Sequence, residues 1–152
     1  MSNKLDNGFF GIGIENAKNA YNLGTLWRSA FLMGASFIFT VNNRIKKQSS
    51  DTSKAWTKIP YYHYESIEDL VNHLPFSCRL VGVELNENSE SLHTYNHPSR
   101  VVYLLGSEDS GLSKIAENAC HQIIKIPSVE PSSLNVASSG SIIMYDRLSK
   151  QL

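Results

Sequence analysis

The sequence predicts an α/β fold in which helices flank a mainly parallel sheet. Three observations lead to this prediction. Short, almost continuous apolar runs alternate along the chain with longer segments whose apolar residues recur at helical spacing. The apolar runs lack the alternation of a half-exposed strand, which is typical of strands buried on both faces. Polar or glycine-containing segments follow several of these runs, where parallel α/β sheets place their ligand sites.

Length and composition predict one domain over residues 1–152. Of the 152 residues, 41% are hydrophobic and 18% are charged, which is enough apolar content for a stable core. There is no apolar run of about 18 residues and no signal peptide, so we expect a cytoplasmic protein without a membrane segment. Cys78 and Cys120 are too few and too far apart for a disulfide framework or a cysteine-rich zinc site, which favours two reduced, packed thiols and no metal.

The first predicted strand is 9–14, an apolar run that two glycines interrupt. Such glycines indicate that another part of the molecule approaches the strand backbone closely. The following segment carries an apolar stripe at helical spacing, including Leu23, Leu26 and Trp27, and Arg28 falls off that stripe. A second, β-branched and aromatic strand is predicted at 36–41.

The next elements are defined by proline and by capping residues. Pro60 restricts the aromatic segment 58–64 to an edge strand or an irregular path. Ser66 and Asp69 resemble a capping box, which predicts a helix over 67–74.

The second half of the chain continues the alternation. Residues 86–99 are polar and irregular with one possible helical turn, a helix is predicted at 112–120, and a final helix is predicted by apolar spacing from Val136 to Leu148. Further strands are predicted at 79–85, 100–106 and 122–126.

Net charge is zero, so a site for a polyanion must be local. The candidate is segment 44–58, where five cations accompany one acid, Asp51. It is either a solvated loop or a nucleic-acid contact, and charge alone leaves both interpretations open. The cations are Arg44, Lys46, Lys47, Lys54 and Lys58.

Three segments carry unusual polar patterns. In 22–28, Asn22 is a candidate cap of the predicted helix, Gly24 allows close backbone approach, and Arg28 can point toward a ligand at the helix start; the alternative is a cap, a spacer and a solvated arginine. In 104–113, two glycines bracket an acidic loop that disfavours a phosphate and favours a neutral or cationic group; the alternative is a strand-to-helix turn in which Ser113 caps the next helix. In 126–148, a serine-rich turn enters a helix of small residues, which predicts unusually close helix packing.

Together these segments resemble the three ordered motifs of the SpoU/TrmH family, the S-adenosylmethionine-dependent tRNA and rRNA ribose 2'-O-methyltransferases of the SPOUT class. The resemblance runs from about residue 9 to 149. The chain departs from the family pattern at Ser107, Asp109 and Ser128. The matching residues are Asn22-x-Gly24-x-x-x-Arg28, Gly106-x-Glu108-x-x-Gly111-Leu112-Ser113, and Ile126-Pro127 followed by Ser133-Leu134-Asn135-Val136.

The resemblance implies a SPOUT-like fold with a deep C-terminal trefoil knot, and a homodimer whose active site is completed across the two-fold interface. It implies a cofactor pocket for S-adenosylmethionine formed by backbone at Gly106, Ile126 and Leu134, with Leu85 as a further wall and Ser133 in the same turn. Arg28 would be the catalytic residue, assisted by Asn22, Glu108 and Asn135.

Arg28 would act either as the base or as an electrostatic positioner, and a guanidinium keeps its proton in nearly every protein environment. RNA would be held by Arg44, Lys46, Lys47 and Lys54, with tRNA favoured over rRNA by analogy. The alternative interpretation is a catalytically silent knotted module that binds S-adenosylmethionine and RNA. A nucleotide-binding enzyme of another class is disfavoured, because 11–16 offers only two of the glycines that a dinucleotide turn requires.

Overall fold

The computed structural model describes residues 8–45 and 54–152. The described chain forms a seven-stranded sheet in the order β3-β2-β1-β6-β4-β7-β5, and every paired strand is parallel. The strands are β1 Phe9–Glu15, β2 Phe37–Val41, β3 Tyr61–Tyr64, β4 Arg79–Val83, β5 Glu90–Ser91, β6 Arg100–Leu105 and β7 Gln122–Lys125. The helices are α1 Ala20–Met33, α2 Ile67–Asn72, α3 Lys114–Ala119 and α4 Val136–Ser149, with 3₁₀ turns at Ala55–Thr57 and Leu92–Thr94.

Helices cover both faces of the parallel sheet, so the predicted α/β architecture is confirmed. Helices α1 and α4 pack on one face, where apolar side chains such as Leu26 and Met144 form the larger core. Helices α2 and α3 pack on the other face over a second core that includes Leu70 and Ala116. Strand β6 serves both cores, because its alternate residues point to opposite faces.

Strand β1 is approached closely by neighbouring side chains, as its glycines predict. The aromatic rings of Phe37 and Phe39 lie where side chains at Gly11 and Gly13 would stand. The two glycines therefore make room for aromatic rings from β2 on the α2/α3 face of the sheet.

Helix α4 packs tightly against α1, which confirms the interpretation of its small residues. A Cβ atom on Gly140 would lie 3.2 Å from Leu105 Cδ1 and closer still to Leu26 Cδ1. Ser141 Oγ donates to Ser29 Oγ of α1 at 2.8 Å. Ser138 is exposed, so the close approach is made by Gly140 and Ser141.

Capping explains where three helices start. Asn19 caps α1 by accepting from the backbone N–H groups of Tyr21 and Asn22, so the prediction that Asn22 is the cap was wrong. Ser66 caps α2, but Asp69 accepts from the N–H of Glu65 instead of closing the predicted box. Ser113 caps α3 as predicted.

Two further predictions need correction. A Cβ atom added at Gly24 would meet no heavy atom within 4 Å, so no part of the described chain approaches this glycine closely. Residues 86–99 contain a short edge strand, β5, besides the predicted single turn. Within 8–45 and 54–152, no helix has the length and apolar character needed to cross a membrane.

Candidate active site

The three polar segments meet at the carboxyl edge of the sheet, beyond the ends of β4, β6 and β7. Of these, segments 104–113 and 126–148 line a cavity of about 270 Å³, whereas 22–28 contributes no residue to it. The acidic loop 106–111 forms one wall, and the serine-rich turn 132–134 forms the opposite wall. These two segments therefore lie side by side, although they are far apart in the sequence.

All five residues predicted to bind a cofactor line this cavity. Leu85 continues from the end of β4, Gly106 follows β6, and Ile126 follows β7. Ser133 and Leu134 come from the turn that leads into α4. The parallel sheet places Leu85, Gly106 and Ile126, since the carboxyl ends of parallel strands lie along one edge.

Two carboxylates hold the acidic loop in place. Glu15 is 1% exposed, and its carboxylate accepts from Ser113 N at 2.8 Å and from Ser113 Oγ at 2.6 Å. Glu84 accepts from Leu112 N at 2.8 Å and from Leu85 N at 3.0 Å. Bonds to charged acceptors are stronger than neutral ones, so the cavity wall is fixed from two strands.

Three of the predicted catalytic residues form a hydrogen-bonded relay. Asn22 Nδ2 donates to Glu108 Oε1, and Asn135 Nδ2 donates to Asn22 Oδ1 at 3.1 Å. The Asn135 Oδ1 atom accepts from Ala137 N and Ser138 N at the start of α4. In both Asn22 and Asn135, the amide nitrogen donates a hydrogen bond and the amide oxygen accepts one, so the relay fixes the orientation of each side chain. It joins α1, the acidic loop and α4.

A smaller cavity of about 30 Å³ lies beside this relay, lined in part by Asn22 and Glu108. Lys18 and Asp109 also line it, and Lys18 Nζ pairs with Asp109 Oδ2 at 2.6 Å. Both side chains are more than half exposed, so we expect the pair to exchange partners readily.

Arg28 is separated from the other predicted catalytic residues. It is exposed on α1 and lines neither cavity. It lies six positions after Asn22 in α1, which corresponds to about 9 Å along the axis and a rotation of about 240°. Within one chain, Arg28 and Asn22 therefore face different directions.

Two of the four predicted RNA-binding residues lie among the described residues. These two, Arg44 and Lys54, are exposed, and Lys46 and Lys47 lie outside the described residues. Lys54 adopts a left-handed backbone conformation, with φ of 52°.

Sequence reasoning missed the carboxylates that hold the acidic loop, Glu15 and Glu84. The available signal was a lone acid at the end of each of two apolar runs, next to a sheet edge that binds ligands. It also missed Lys125 and Ser139, which line the larger cavity. Among the described residues, no group of three or more His, Cys, Asp or Glu side chains is placed to hold a metal ion.

Comparison with known proteins is consistent with this geometry. The 23S rRNA (guanosine-2'-O-)-methyltransferase RlmB of Acinetobacter baylyi is 24% identical over 148 residues, which is 93% of this chain and 60% of that protein. An AdoMet-bound rRNA methyltransferase from Sinorhizobium meliloti has a similar fold, with a TM-score of 0.86 and 24% identity over 95% of this chain and 57% of that one.

A structure described as giving insight into the 2-OH methylation of C/U34 on tRNA matches with a TM-score of 0.80 and 19% identity, covering 95% of this chain and 96% of that one. This chain spans about 60% of the length of the RlmB relative. The family model of the SpoU rRNA Methylase family matches residues 10–145. The chain therefore belongs to the SpoU rRNA Methylase family.

Proposed function

We propose that this protein is an S-adenosylmethionine-dependent methyltransferase that acts on the ribose 2'-hydroxyl of an RNA nucleotide. The observation that carries the proposal is the cavity in which all five predicted cofactor residues meet, directly beside the Glu108–Asn22–Asn135 relay. The test is transfer of a labelled methyl group to unmodified bulk tRNA and rRNA. Mapping of the product should place the methyl group on a ribose.

The residues of the cavity fit S-adenosylmethionine. Main chain from Gly106, Ile126 and Leu134 suits an adenine held by shape and backbone hydrogen bonds. The Glu108 and Asp109 carboxylates favour a cationic ligand over a phosphate. When bound, the cofactor supplies an electrophilic methyl group on a sulfonium. We assign its site to this cavity.

The relay residues orient the substrate hydroxyl. Glu108 Oε1 is occupied by Asn22, and we assign Oε2 as the acceptor for the hydrogen bond of the 2'-hydroxyl. Asn22 is held in turn by Asn135, which prevents rotation of the amide. Holding two reactants in line supplies several kcal/mol of a transfer barrier, on the order of 7–11 at best.

Arg28 requires a second copy of the chain to reach an active site. It lies outside its own cavities, on a face of α1 that it shares with exposed Tyr21 and Leu32 at spacings of seven and four residues. Ile142 and Tyr145 of α4, the helix that packs against α1, are also 39% and 57% exposed. We propose that this face is the homodimer interface and places Arg28 against the partner's relay, where it positions a phosphate or stabilises an alkoxide.

Mixed subunits test this arrangement. R28A and N135A should each be inactive as homodimers. A heterodimer of the two carries one complete site if Arg28 acts across the interface, and none if it acts within its own chain. Recovery of about half the specific activity of the unmodified dimer would support the proposal, and no recovery would exclude it.

We propose tRNA as the substrate in preference to rRNA. The support is one solved relative that matches 96% of its own length and whose description concerns 2-OH methylation of C/U34 on tRNA. The longer relative RlmB is named for 23S rRNA, and this chain spans 60% of it. Labelled methyl groups in gel-purified tRNA with none in rRNA would support the preference, and the reverse result would overturn it.

The C-terminal knot belongs to the same proposal. Its support is the path of the chain after β7. Strand β7 is separated from β6 by β4, and the chain then returns across the sheet so that α4 packs against α1. A single domain over residues 1–152 is supported by one sheet that runs through the described chain. A cytoplasmic location stays a prediction.

The alternative function is a silent module that binds cofactor and RNA without catalysis. The intact relay and the presence of Arg28 favour the enzyme. Tight cofactor binding without methyl transfer to tRNA or rRNA would favour the module instead.

A further inference from the structure

We propose that Lys125 binds the carboxylate in the amino-acid part of S-adenosylmethionine and thereby orients the cofactor in the larger cavity. The inference rests on the proposed function, because it takes this cavity as the cofactor site. Three observations support it. They are the place of Lys125 in the cavity wall, the freedom of its ammonium group within the described chain, and the negative charge of the other ionic residues in that wall.

Lys125 supplies the positive charge of the cavity wall. It is the last residue of β7, is half-buried and lines the larger cavity. Among the described residues that line this cavity, it is the sole lysine, arginine or histidine. Strand β7 pairs with β4 on one side and with β5 on the other, so the sheet holds the backbone at this position. The charge therefore starts from a fixed point of the fold.

The ammonium group of Lys125 is available for a ligand. In the described part of the chain, no hydrogen bond or ion pair joins Lys125 Nζ to another group. The register of the sheet brings Glu84 next to Lys125, because the preceding residues, Val83 and Ile124, are paired. Both carboxylate oxygens of Glu84 already accept from backbone N–H groups, one in the residue that follows it and one in the acidic loop. This neighbouring acid thus supports the loop, and Lys125 keeps its donors.

The charges of the cofactor match those of the wall. S-adenosylmethionine carries a sulfonium, an ammonium and a carboxylate, and the carboxylate is its only anionic group. The other ionic residues in the described wall are Glu84, Glu108 and Asp109, which all repel a carboxylate. A lysine ammonium has three donors and forms charge-assisted hydrogen bonds with carboxylates. Lys125 is therefore the residue of this wall that attracts the anionic end of the cofactor.

The place of Lys125 in the sheet gives the bound cofactor a direction. Strand β4 lies between β6, which leads into the acidic loop, and β7, which ends at Lys125. Neighbouring strands lie about 4.8 Å apart, so β6 and β7 are separated by about 10 Å at this edge. An anion held at Lys125 is thereby kept across β4 from Glu108, which accepts the substrate hydroxyl in the proposed function. Lys125 acts on binding and orientation, and it takes no part in proton transfer.

A ligand without the carboxylate isolates this contact. S-adenosylhomocysteine and its decarboxylated form differ in that group, and both keep the adenosine, the sulfur and the amine. Their affinities are measured by calorimetric titration of the unmodified protein and of Lys125→Met, which keeps an apolar stem and removes the ammonium. The matched control is Lys114→Met, because Lys114 is exposed, lines neither cavity and carries the same charge.

We expect Lys125→Met to bind S-adenosylhomocysteine about tenfold more weakly than the unmodified protein does, which is the size of effect that a hydrogen bond between charged groups produces. Its affinity for the decarboxylated ligand should stay within about twofold. The preference of the unmodified protein for the intact ligand should therefore disappear in Lys125→Met and persist in Lys114→Met. Lys125→Gln provides a second variant if Lys125→Met does not fold.

Unchanged affinity of Lys125→Met for S-adenosylhomocysteine would overturn the proposal. Equal losses for the two ligands would also overturn it, because they indicate a contact with the nucleoside part or a general structural defect. Binding is measured without RNA, so failure of methyl transfer would contradict the proposed function and leave this result intact. Failure of the unmodified protein to bind either ligand would overturn both.

Discussion

Substitution of Gly106 by alanine tests whether the packing of the acidic loop against Gly106 determines both the stability of the protein and its affinity for the cofactor. Gly106 directly follows β6 and lines the cavity. A Cβ atom at this position would lie 2.7 Å from Gly111 Cα, and closer still to the carbonyl carbon of Gly111 and the amide nitrogen of Leu112. Nonbonded carbons pack at about 3.5–4.0 Å, so the Gly111–Leu112 backbone must move by about 1 Å.

The size of the expected loss of stability follows from the hydrogen bonds that hold the Gly111–Leu112 backbone in place. Leu112 N donates to the Glu84 carboxylate at 2.8 Å, and Gly111 N donates to Ser107 O at 3.0 Å. A shift of about 1 Å removes the charge-assisted bond, which contributes roughly 1.5–3 kcal/mol, and adds strain of roughly 1–3 kcal/mol. After partial relaxation, we expect Gly106→Ala to lower the free energy of unfolding by about 2–4 kcal/mol.

The assay is urea unfolding with and without S-adenosylhomocysteine, together with calorimetric titration of that ligand. The unmodified protein should gain about 2.7 kcal/mol at a ligand concentration of about 100 Kd. Gly106→Ala should bind about tenfold or more weakly and gain correspondingly less. Gly24→Ala is the control, because no atom lies within 4 Å of the added methyl group and cofactor affinity should not change. Normal stability and affinity in Gly106→Ala would refute the reasoning.

Three further predictions concern titratable groups that are buried or half-buried. Glu15→Gln should lower the free energy of unfolding by about 1–3 kcal/mol, because the carboxylate accepts two bonds from Ser113; urea unfolding beside the exposed control Glu130→Gln checks this, and equal stability of the two variants would contradict it. Burial lowers the pKa of His97 and outweighs its bond to Asp146, so the native protein binds fewer protons than the unfolded chain below about pH 6.5. The free energy of unfolding should therefore fall as pH decreases below about 6.5, by at most about 1.4 kcal/mol per pH unit for this group, and His97→Gln should reduce that slope; an unchanged slope would contradict the assignment. Burial raises the pKa of Cys78 to about 11 and of Cys120 to about 12, so both thiols should react slowly with iodoacetamide at pH 8 in the native protein and rapidly in urea, as followed by mass spectrometry. Rapid native labelling would show that the thiols are more accessible than the structure indicates.

Much of the fold was predictable because strands buried on both faces have a simple sequence pattern. The apolar runs at β1, β2, β4, β6 and β7 each identified a strand to within about two residues. The five cofactor residues were placed together on the same basis, because loops that follow parallel strands must share an edge. Their roles came from the motif resemblance, whereas their shared location follows from the topology.

The remaining features depended on contacts between distant segments, which local patterns do not encode. Asn22 is a residue type that commonly caps helices, but Asn19 precedes it and caps α1. Asn22 is then available to bridge Glu108 and Asn135, which are 86 and 113 residues away along the chain. Tyr61 has the aromatic character of a core residue, and its hydroxyl contacts Ile45 only because β3 adds beside β2.

Charge distribution gives the proposed RNA substrate one orientation at this edge of the sheet. The acidic loop carries Glu108 and Asp109, so a backbone phosphate is repelled from the relay while an uncharged ribose is accepted. Lys18 at this edge is already paired with Asp109, whereas the exposed cation Arg28 lies on α1 outside both cavities. One chain alone directs Arg28 away from its own relay. In the proposed chemistry, the ribose contacts Glu108 of one chain while its phosphate contacts an arginine of a second copy. The dimer is therefore a condition of the proposed chemistry.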